Sequence, residues 1–142
     1  MITYVDTSTL LKLVVEEAGS ASAAVIWDSA DVLAAVGLVV VEARAALAAA
    51  HRRGRLSDSQ YQGARREAAA LIGDLHLVEV TDALIAAAAD LAESEGLRGY
   101  DAVHLAGALL VDASILSSAD EALCEAAGRH GLHVANPLVA TS

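Results

Sequence analysis

Four acidic residues occupy positions where catalytic or metal-binding chemistry is plausible. Asp6 directly follows the β-branched and aromatic run Ile2–Val5, which is typical of a buried strand, and Asp120 follows a second apolar run. Glu42 and Asp101 lie near the beginnings of apolar helical segments. Because ligands bind outside the carboxyl ends of strands in open α/β sheets, a parallel sheet could bring all four carboxylates to one rim.

Three of these acids also have an ordinary structural explanation, since Asp is favoured at helix N-caps and in first helical turns. Asp6 and Asp101 both precede or open a helix, although Thr7–Thr9 could cap the first helix without Asp6. Asp120 lies within Ser118–Glu121, which has the form of a capping box with the serine as the cap. Taken singly, these three aspartates therefore indicate little.

Glu42 is more informative than the aspartates. Its neighbours three and four residues away on a helix are all apolar: Leu38, Val39, Ala45 and Ala46. A carboxylate in such surroundings costs several kcal/mol unless something compensates it, so its partner is either a side chain from another segment or a bound cation. His104, three residues after Asp101, is interpreted as a core histidine or a support for the site rather than as a ligand.

Four carboxylates at one point would repel one another. At ~4 Å and an effective dielectric of ~20, each pair costs about 4 kcal/mol. A hard divalent ion removes this repulsion, and ligation by carboxylates alone favours Mg²⁺ or Mn²⁺ over zinc. A water activated by such an ion can attack a phosphodiester.

The composition limits the other possibilities. The chain has 142 residues, 56% of them hydrophobic, which predicts one domain over residues 1–142 with a substantial core. A net charge of −10 argues against a general nucleic-acid coat protein, and the single cysteine, Cys124, excludes an internal disulfide or a cysteine-based metal site. We expect no membrane span and no signal peptide, and hence a cytoplasmic protein.

Five short apolar runs alternate with helical patterns, which predicts a parallel sheet with helices on both faces. The first helix is predicted over Ser8–Glu17, and the segment Leu97–Tyr100 is predicted to be a loop before a helix that begins at Asp101. The five predicted strands are Ile2–Val5, Val32–Val36, Leu77–Val80, Ser114–Ser117 and Leu132–Ala135.

Basic residues are concentrated in one part of the chain. Five of the nine lie within fifteen positions: Arg52, Arg53, Arg55, Arg65 and Arg66. This patch could face a phosphate backbone, or it could be the solvated surface of a helical hairpin, and the sequence does not decide between the two.

Four segments, in this order and spacing, resemble the successive motifs of PIN-domain ribonucleases, and most closely those of VapC-type toxins from bacterial toxin–antitoxin modules. The resemblance implies an α/β PIN-like fold with a central five-stranded parallel sheet, and Mg²⁺- or Mn²⁺-dependent endoribonuclease activity. It implies that Asp6 and Asp101 are the core metal ligands and that Glu42 and Asp120 complete the catalytic pocket. The segments are Val5-Asp6-Thr-Ser8-x-Leu10, Val41-Glu42-Ala-Arg44-x-Ala46, Leu97-Arg-Gly-Tyr-Asp101-Ala-x-His104-Leu-Ala106 and Leu116-x-Ser118-Ala-Asp120.

The resemblance also implies supporting residues and partners. Ser8 matches a hydroxyl that supports the site or contacts phosphate, and Ser118 stands where the family commonly has threonine. Arg44, Arg52 and Arg53 are candidates for contact with RNA or with a cognate VapB-like antitoxin, and a homodimer is expected.

Two competing functions remain to be weighed. A non-catalytic PIN module that binds RNA or a protein partner is disfavoured by the complete acidic set. Phosphotransfer is disfavoured because Ser8 stands where aspartyl-phosphate phosphatases have an acid, and because Lys12 is the only lysine, whereas receiver domains need one late in the chain.

Overall fold

The structure, a computed structural model, describes residues 1–139, which form five strands and seven helices. The strands are β1 (Ile2–Val5), β2 (Val32–Val36), β3 (His76–Val78), β4 (Ile115–Ser117) and β5 (His133–Ala135). The helices are α1 (Thr7–Val14), α2 (Ser20–Ser29), α3 (Leu38–Arg52), α4 (Asp58–Gly73), α5 (Asp82–Glu95), α6 (Gly99–Leu110) and α7 (Glu121–Arg129).

The five strands form one parallel sheet in the order β3-β2-β1-β4-β5, which confirms the predicted architecture. β1 is central, and Tyr4 pairs with Ala34 on one side and Leu116 on the other. β3 ends at Val78 rather than at Val80 as predicted, because Val78 is paired with Val36, the last residue of β2.

Helices cover both faces of the sheet, as the alternation of elements predicted. Tyr4 and Val5 point to opposite faces because successive side chains of a strand alternate. Tyr4 packs in a core with α5, α6 and α7, whereas Val5 packs in a second core with α1 to α4. In the first core Gly107 is pressed against the Tyr4 ring, since a Cβ there would come within 3.2 Å of it.

The boundaries of two helices near the acids differ from the prediction. α1 ends at Val14 rather than Glu17, because Glu17 turns back to pair with Lys12 through an ion pair of 2.9 Å. α6 begins at Gly99, so Asp101 lies inside its first turn rather than at its start. In both cases an ion pair of a charged side chain accompanies the changed boundary.

No helix within residues 1–139 is both long and apolar enough to cross a membrane.

Candidate active site

The carboxyl end of the sheet collects the four predicted acids. Asp6 follows β1 and Asp120 follows β4, and these two strands are neighbours. Glu42 lies in the second turn of α3, which begins after β2, and Asp101 lies in the first turn of α6. A series of hydrogen bonds links these elements to one another.

Asp6 is buried, with 5% of its surface exposed, and both of its carboxylate oxygens accept hydrogen bonds. The Ser8 hydroxyl (2.6 Å) and the Thr9 amide (3.2 Å) donate to Oδ1, and the Ser118 hydroxyl (2.5 Å) donates to Oδ2. Asp6 is therefore the N-cap of α1, which is the ordinary structural explanation given for it above, and none of Thr7–Thr9 takes this position. The carboxylate is small enough to cap the helix through one oxygen while Ser118 fixes the other.

Ser118 joins Asp6 to Asp120. Its hydroxyl donates to Asp6 and accepts the Asp120 amide N–H at 2.9 Å. The predicted capping box with Ser118 as N-cap was wrong, because Asp120 itself caps α7 by accepting the Leu123 amide at 2.9 Å. The Ser118 hydroxyl is thus directed to the buried Asp6 carboxylate, which follows β1, rather than to its own helix.

Glu42 finds the tertiary partners that its apolar helical neighbours required. Thr7 Oγ1 donates to Glu42 Oε1 at 2.8 Å, and His104 Nε2 lies 2.6 Å from the same oxygen. Since a carboxylate can only accept, the proton of this contact resides on Nε2. Both bonds fall on Oε1, which leaves Oε2 without a hydrogen-bond partner in residues 1–139.

The second ring nitrogen of His104 is hydrogen-bonded to Tyr4. The Tyr4 hydroxyl accepts the Val36 amide N–H at 3.0 Å and lies 2.8 Å from His104 Nδ1. In the neutral ring the Tyr4 O–H donates to Nδ1. A chain of hydrogen bonds therefore runs from the backbone of β2 through Tyr4 and His104 to Glu42, and His104, 2% exposed, is the buried support that was predicted.

Asp101 and Asp120 share one guanidinium. Arg98 donates from Nε to Asp101 Oδ2 at 3.0 Å and from Nη2 to Asp120 Oδ2 at 3.0 Å. The guanidinium also lies over the Tyr100 ring, 5.0 Å from its centroid. This arginine joins the carboxylate of α6 to that of α7.

The surroundings shift the pKa values of the acids in different directions. Burial raises the pKa of Asp6 above its usual range, although the charge of His104 and hydrogen bonds from Ser118, Ser8 and Thr9 oppose the rise. Burial likewise raises the pKa of Asp101, against the effect of Arg98. At Glu42 burial also acts to raise the pKa, but the hydrogen bond and charge of His104 outweigh it, and the pKa is lowered.

The side chains of the site are of the type that binds a hard cation, but they are not arranged around a common point. Its donors are carboxylate oxygens, which suit Mg²⁺ or Mn²⁺. Nevertheless, no group of three or more His, Cys, Asp or Glu side chains in residues 1–139 is arranged to hold a metal ion. A cation would have to compete with Arg98 for Asp101 and Asp120.

In residues 1–139 the three arginines predicted to contact RNA or an antitoxin make no ion pair with the acids of this site. Arg44, Arg52 and Arg53 are all exposed. At 1.5 Å per helical residue, Arg52 lies ~15 Å along α3 from Glu42. Their proposed contacts remain predictions.

Sequence reasoning missed Arg98, Tyr4 and Thr7. The spacing of Arg98 and Asp101 was the available signal, since oppositely charged side chains three residues apart on a helix are neighbours. The Asp120 contact and the approach of Thr7 to Glu42 depend on how β1, α3 and the β4–α7 loop meet, for which the sequence has no local signal.

Comparisons with known proteins agree with this architecture. Residues 3–129 match the PIN domain family. Ribonuclease VapC45 and Ribonuclease VapC49, both from Mycobacterium tuberculosis, are each 40% identical to this chain over 110 residues, or 78% of this chain and 76% of the relative. The chain therefore belongs to the PIN-domain family, and its resemblance to VapC-type members is confirmed.

Solved structures show the same fold at lower identity. The crystal structure of PAE2754 from Pyrobaculum aerophilum has a TM-score of 0.71 at 22% identity and covers 95% of this chain and 84% of that one. VapBC2 from Rickettsia felis, bound to a DNA fragment from its promoter, has a TM-score of 0.66 at 13% identity, covering 96% and 98%. These likenesses confirm the α/β PIN-like fold.

Proposed function

We propose that this protein is a Mg²⁺- or Mn²⁺-dependent endoribonuclease and the toxin of a toxin–antitoxin pair. The observation that carries the proposal is the linked set Asp6, Glu42, Asp101 and Asp120 at one rim of the sheet. Two of its members, Asp6 and Asp101, are buried and have pKa values raised by that burial, which a bound cation would offset. The 40% identical relatives named as ribonucleases support the same reaction.

The chain's own residues have distinct roles in this proposal. Asp6 and Asp101 are the principal cation ligands, with Glu42 and Asp120 completing the set, and Ser8 and Ser118 orient the two oxygens of Asp6. Glu42 and Asp101 each keep one carboxylate oxygen without a hydrogen bond from residues 1–139, and these oxygens are available to a ligand. A bound divalent cation would supply Lewis-acid stabilisation of the phosphate and activation of the attacking water.

The proposed partners are an antitoxin and a second copy of the chain. One structural neighbour is described as VapBC2 bound to its promoter fragment and another as FitAcB from Neisseria gonorrhoeae, both of which share the fold. With a net charge of −10, this protein suits a basic antitoxin segment near the acidic rim. The homodimer is proposed from the family resemblance.

The decisive experiment is cleavage of total RNA and transfer RNA by purified protein with Mn²⁺, with Mg²⁺ and with EDTA. We expect discrete products that require the metal and disappear in Asp6→Asn. Asp28→Asn is the matched control, because it removes one carboxylate from an exposed position on α2. Equal cleavage by Asp6→Asn would contradict the proposed site.

The same experiment tests the alternative, a PIN module that binds RNA or a protein without cutting. That function would give RNA binding without metal-dependent products. The ion pairs from Arg98 to Asp101 and Asp120 are the structural feature that such a module could retain, since they satisfy both carboxylates without a cation.

A further inference from the structure

Arg98 is a cation placed inside an acidic site. Its two ion pairs connect Asp101 and Asp120, which come from different elements, α6 and the β4–α7 junction. Among the arginines and lysines of residues 1–139, it is the one that forms an ion pair with any of the four site acids, and it pairs with two of them. The function proposed above gives it no role.

The Arg98 backbone is fixed at the start of α6, whereas its side chain faces solvent. Arg98 is the N-cap residue of α6, so its backbone is fixed one turn from Asp101, yet it makes no side-chain capping bond. The side chain is 62% exposed. Because the guanidinium faces solvent although the side chain of its partner Asp101 is 9% exposed, another anion can reach Arg98 from the solvent side.

An RNA-cleaving site of this composition needs a basic group close to the reacting phosphate. The four carboxylates repel a polyanion, and phosphate contacts by Lys or Arg dominate the affinity of nucleic-acid binding. Of the other candidate arginines, Arg44 forms no ion pair with the site acids in residues 1–139, and Arg52 lies ~15 Å from Glu42 along α3. Arg98 is already at the rim where the phosphate would have to lie.

The chemistry of the Arg98 guanidinium suits an oxyanion. Its planar fork binds carboxylate and phosphate in the same way, through paired N–H groups. Nε and Nη2 are the atoms used on Asp101 and Asp120, and the Tyr100 ring supports the group at 5.0 Å. Tyr100 is itself 47% exposed, and an exposed aromatic beside such a site can stack on an unpaired base.

We propose that Arg98 is a substrate-positioning residue, whose solvent-facing guanidinium exchanges a carboxylate of the site for a phosphate of the RNA strand. This inference rests on the proposed function and adds a residue to it. Without RNA the ion pairs of Arg98 keep the two aspartates paired. Arg98 thus alternates between two anionic partners, the carboxylates and the RNA backbone.

The test measures RNA binding in an inactive background, so that it does not depend on cleavage. Asp6→Asn is combined with Arg98→Gln, Arg98→Lys or Arg129→Gln. Arg129 is the matched control, because it is also exposed and pairs with a carboxylate, Glu95, away from the site. Binding of a fluorescein-labelled oligouridylate is followed by anisotropy in Mn²⁺ over a range of salt concentrations.

We expect Arg98→Gln to weaken oligouridylate binding about tenfold and to reduce the slope of log affinity against log salt by ~0.7, the value for one lost phosphate contact on a single strand. Arg98→Lys should restore the slope, and Arg129→Gln should change neither quantity. In the Asp6 background, unchanged affinity and slope in Arg98→Gln would overturn the proposal.

A second measurement uses the catalytically intact protein and separates this inference from the proposed function. Arg98→Gln should raise KM for RNA more than it lowers kcat, whereas Arg129→Gln should match the wild type. If the wild type cleaves RNA with metal but Arg98→Gln keeps its KM, the nuclease proposal stands and the role of Arg98 is refuted. If the wild type binds but never cleaves, the nuclease proposal fails instead.

Discussion

Asp6 and Glu42 are carboxylates of one site whose environments act in opposite directions. Asp6 is almost fully enclosed, and burial raises its pKa despite three hydrogen-bond donors. Glu42 is partly exposed, and His104 and Thr7 lower its pKa even though burial opposes them. Ionisation of Asp6 therefore lowers the stability of the fold, whereas ionisation of Glu42 raises it.

Asp6→Asn should stabilise the metal-free protein at neutral pH. Because the folded pKa of Asp6 lies above its ordinary value of 3.8, stability falls as the pH rises from that value through the folded pKa. Asparagine caps helices as well as aspartate and removes this cost, so we expect a gain of about 1 kcal/mol. Thermal unfolding of both proteins between pH 3 and pH 8 would measure the difference, which should vanish at the acidic end.

Glu42→Gln has the opposite expected sign. The lowered pKa of Glu42 means that its contribution is present above its ordinary value of 4.5 and is lost as the pH falls through the folded pKa. A loss of about 1 kcal/mol at neutral pH is expected, reduced from the buried case by solvent. Asp28→Asn corrects both results for the general effect of removing one negative charge, and equal shifts in all three variants would contradict the assignment.

The Tyr4 hydroxyl supports Glu42 through His104, and Tyr4→Phe tests this chain of hydrogen bonds. Its removal leaves the buried Val36 amide without an acceptor, which costs about 1–3 kcal/mol. It also frees the His104 ring, so kcat for RNA should fall while KM changes little. Tyr61→Phe is the control, because that ring stacks on His51 in α3, outside the site. Full activity in Tyr4→Phe would show that the chain has only a structural role.

At the scale of the element, the site is built from helix beginnings. Asp6 and Asp120 cap α1 and α7, and Asp101 lies in the first turn of α6. Positive helix N-termini stabilise nearby carboxylates, so the same residues can serve both the fold and the reaction. Capping and catalysis therefore have to be separated by experiment.

Asp120 permits this separation. Asp120→Asn keeps a side-chain oxygen for the Leu123 amide, whereas Asp120→Ala removes the cap and should cost about 1 kcal/mol more. Both variants should lose RNA cleavage to the same extent, because both remove the carboxylate. Urea unfolding and RNA cleavage are measured on each protein.

Ser57 is the control for helix capping, because it caps a helix and is not one of the four site acids. It caps α4 through a capping box, so Ser57→Ala should lower stability about as much as loss of the Asp120 cap while leaving cleavage unchanged. If Asp120→Asn cleaved RNA like the wild type, the carboxylate would be a cap and nothing more.

At the scale of the whole molecule, the central position of β1 assembles the site. Its two neighbours β2 and β4 lead into α3 and the Ser118–Asp120 segment, and the packed α6 adds Asp101 and His104. Mutual repulsion of the acids therefore acts between the elements that meet at this rim. A ligand that neutralises the carboxylates at this rim should therefore raise the free energy of unfolding of the whole structure.

Mn²⁺ should accordingly raise the stability of the whole domain. A ligand at a hundredfold excess over its Kd adds about 2.7 kcal/mol to the free energy of unfolding. Differential scanning calorimetry with Mn²⁺ and with EDTA would show a single transition that shifts upward with the metal. The shift should be lost in Asp101→Asn and kept in Asp82→Asn, an exposed acid at the start of α5. A shift of equal size in both variants would refute binding at the acidic rim.

Local sequence determined most of the architecture. Ile2–Val5 and the other short apolar runs specified parallel strands, because a strand covered on both faces needs nearly continuous apolar residues. The apolar helical neighbours of Glu42 predicted a tertiary partner or a cation, and a tertiary partner, His104, is present. These inferences succeeded because periodicity and burial are encoded within a few residues.

Tertiary structure alone decided how the acids are held. Ser118 turns to Asp6 rather than to its own helix, and Arg98 joins Asp101 to Asp120, because these contacts depend on the relative positions of elements that are distant along the chain. A sequence specifies which side chains can ionise or donate. Which of them meet is set by the order of the strands and the packing of helices over them, since that geometry determines distance, burial and therefore electrostatic energy.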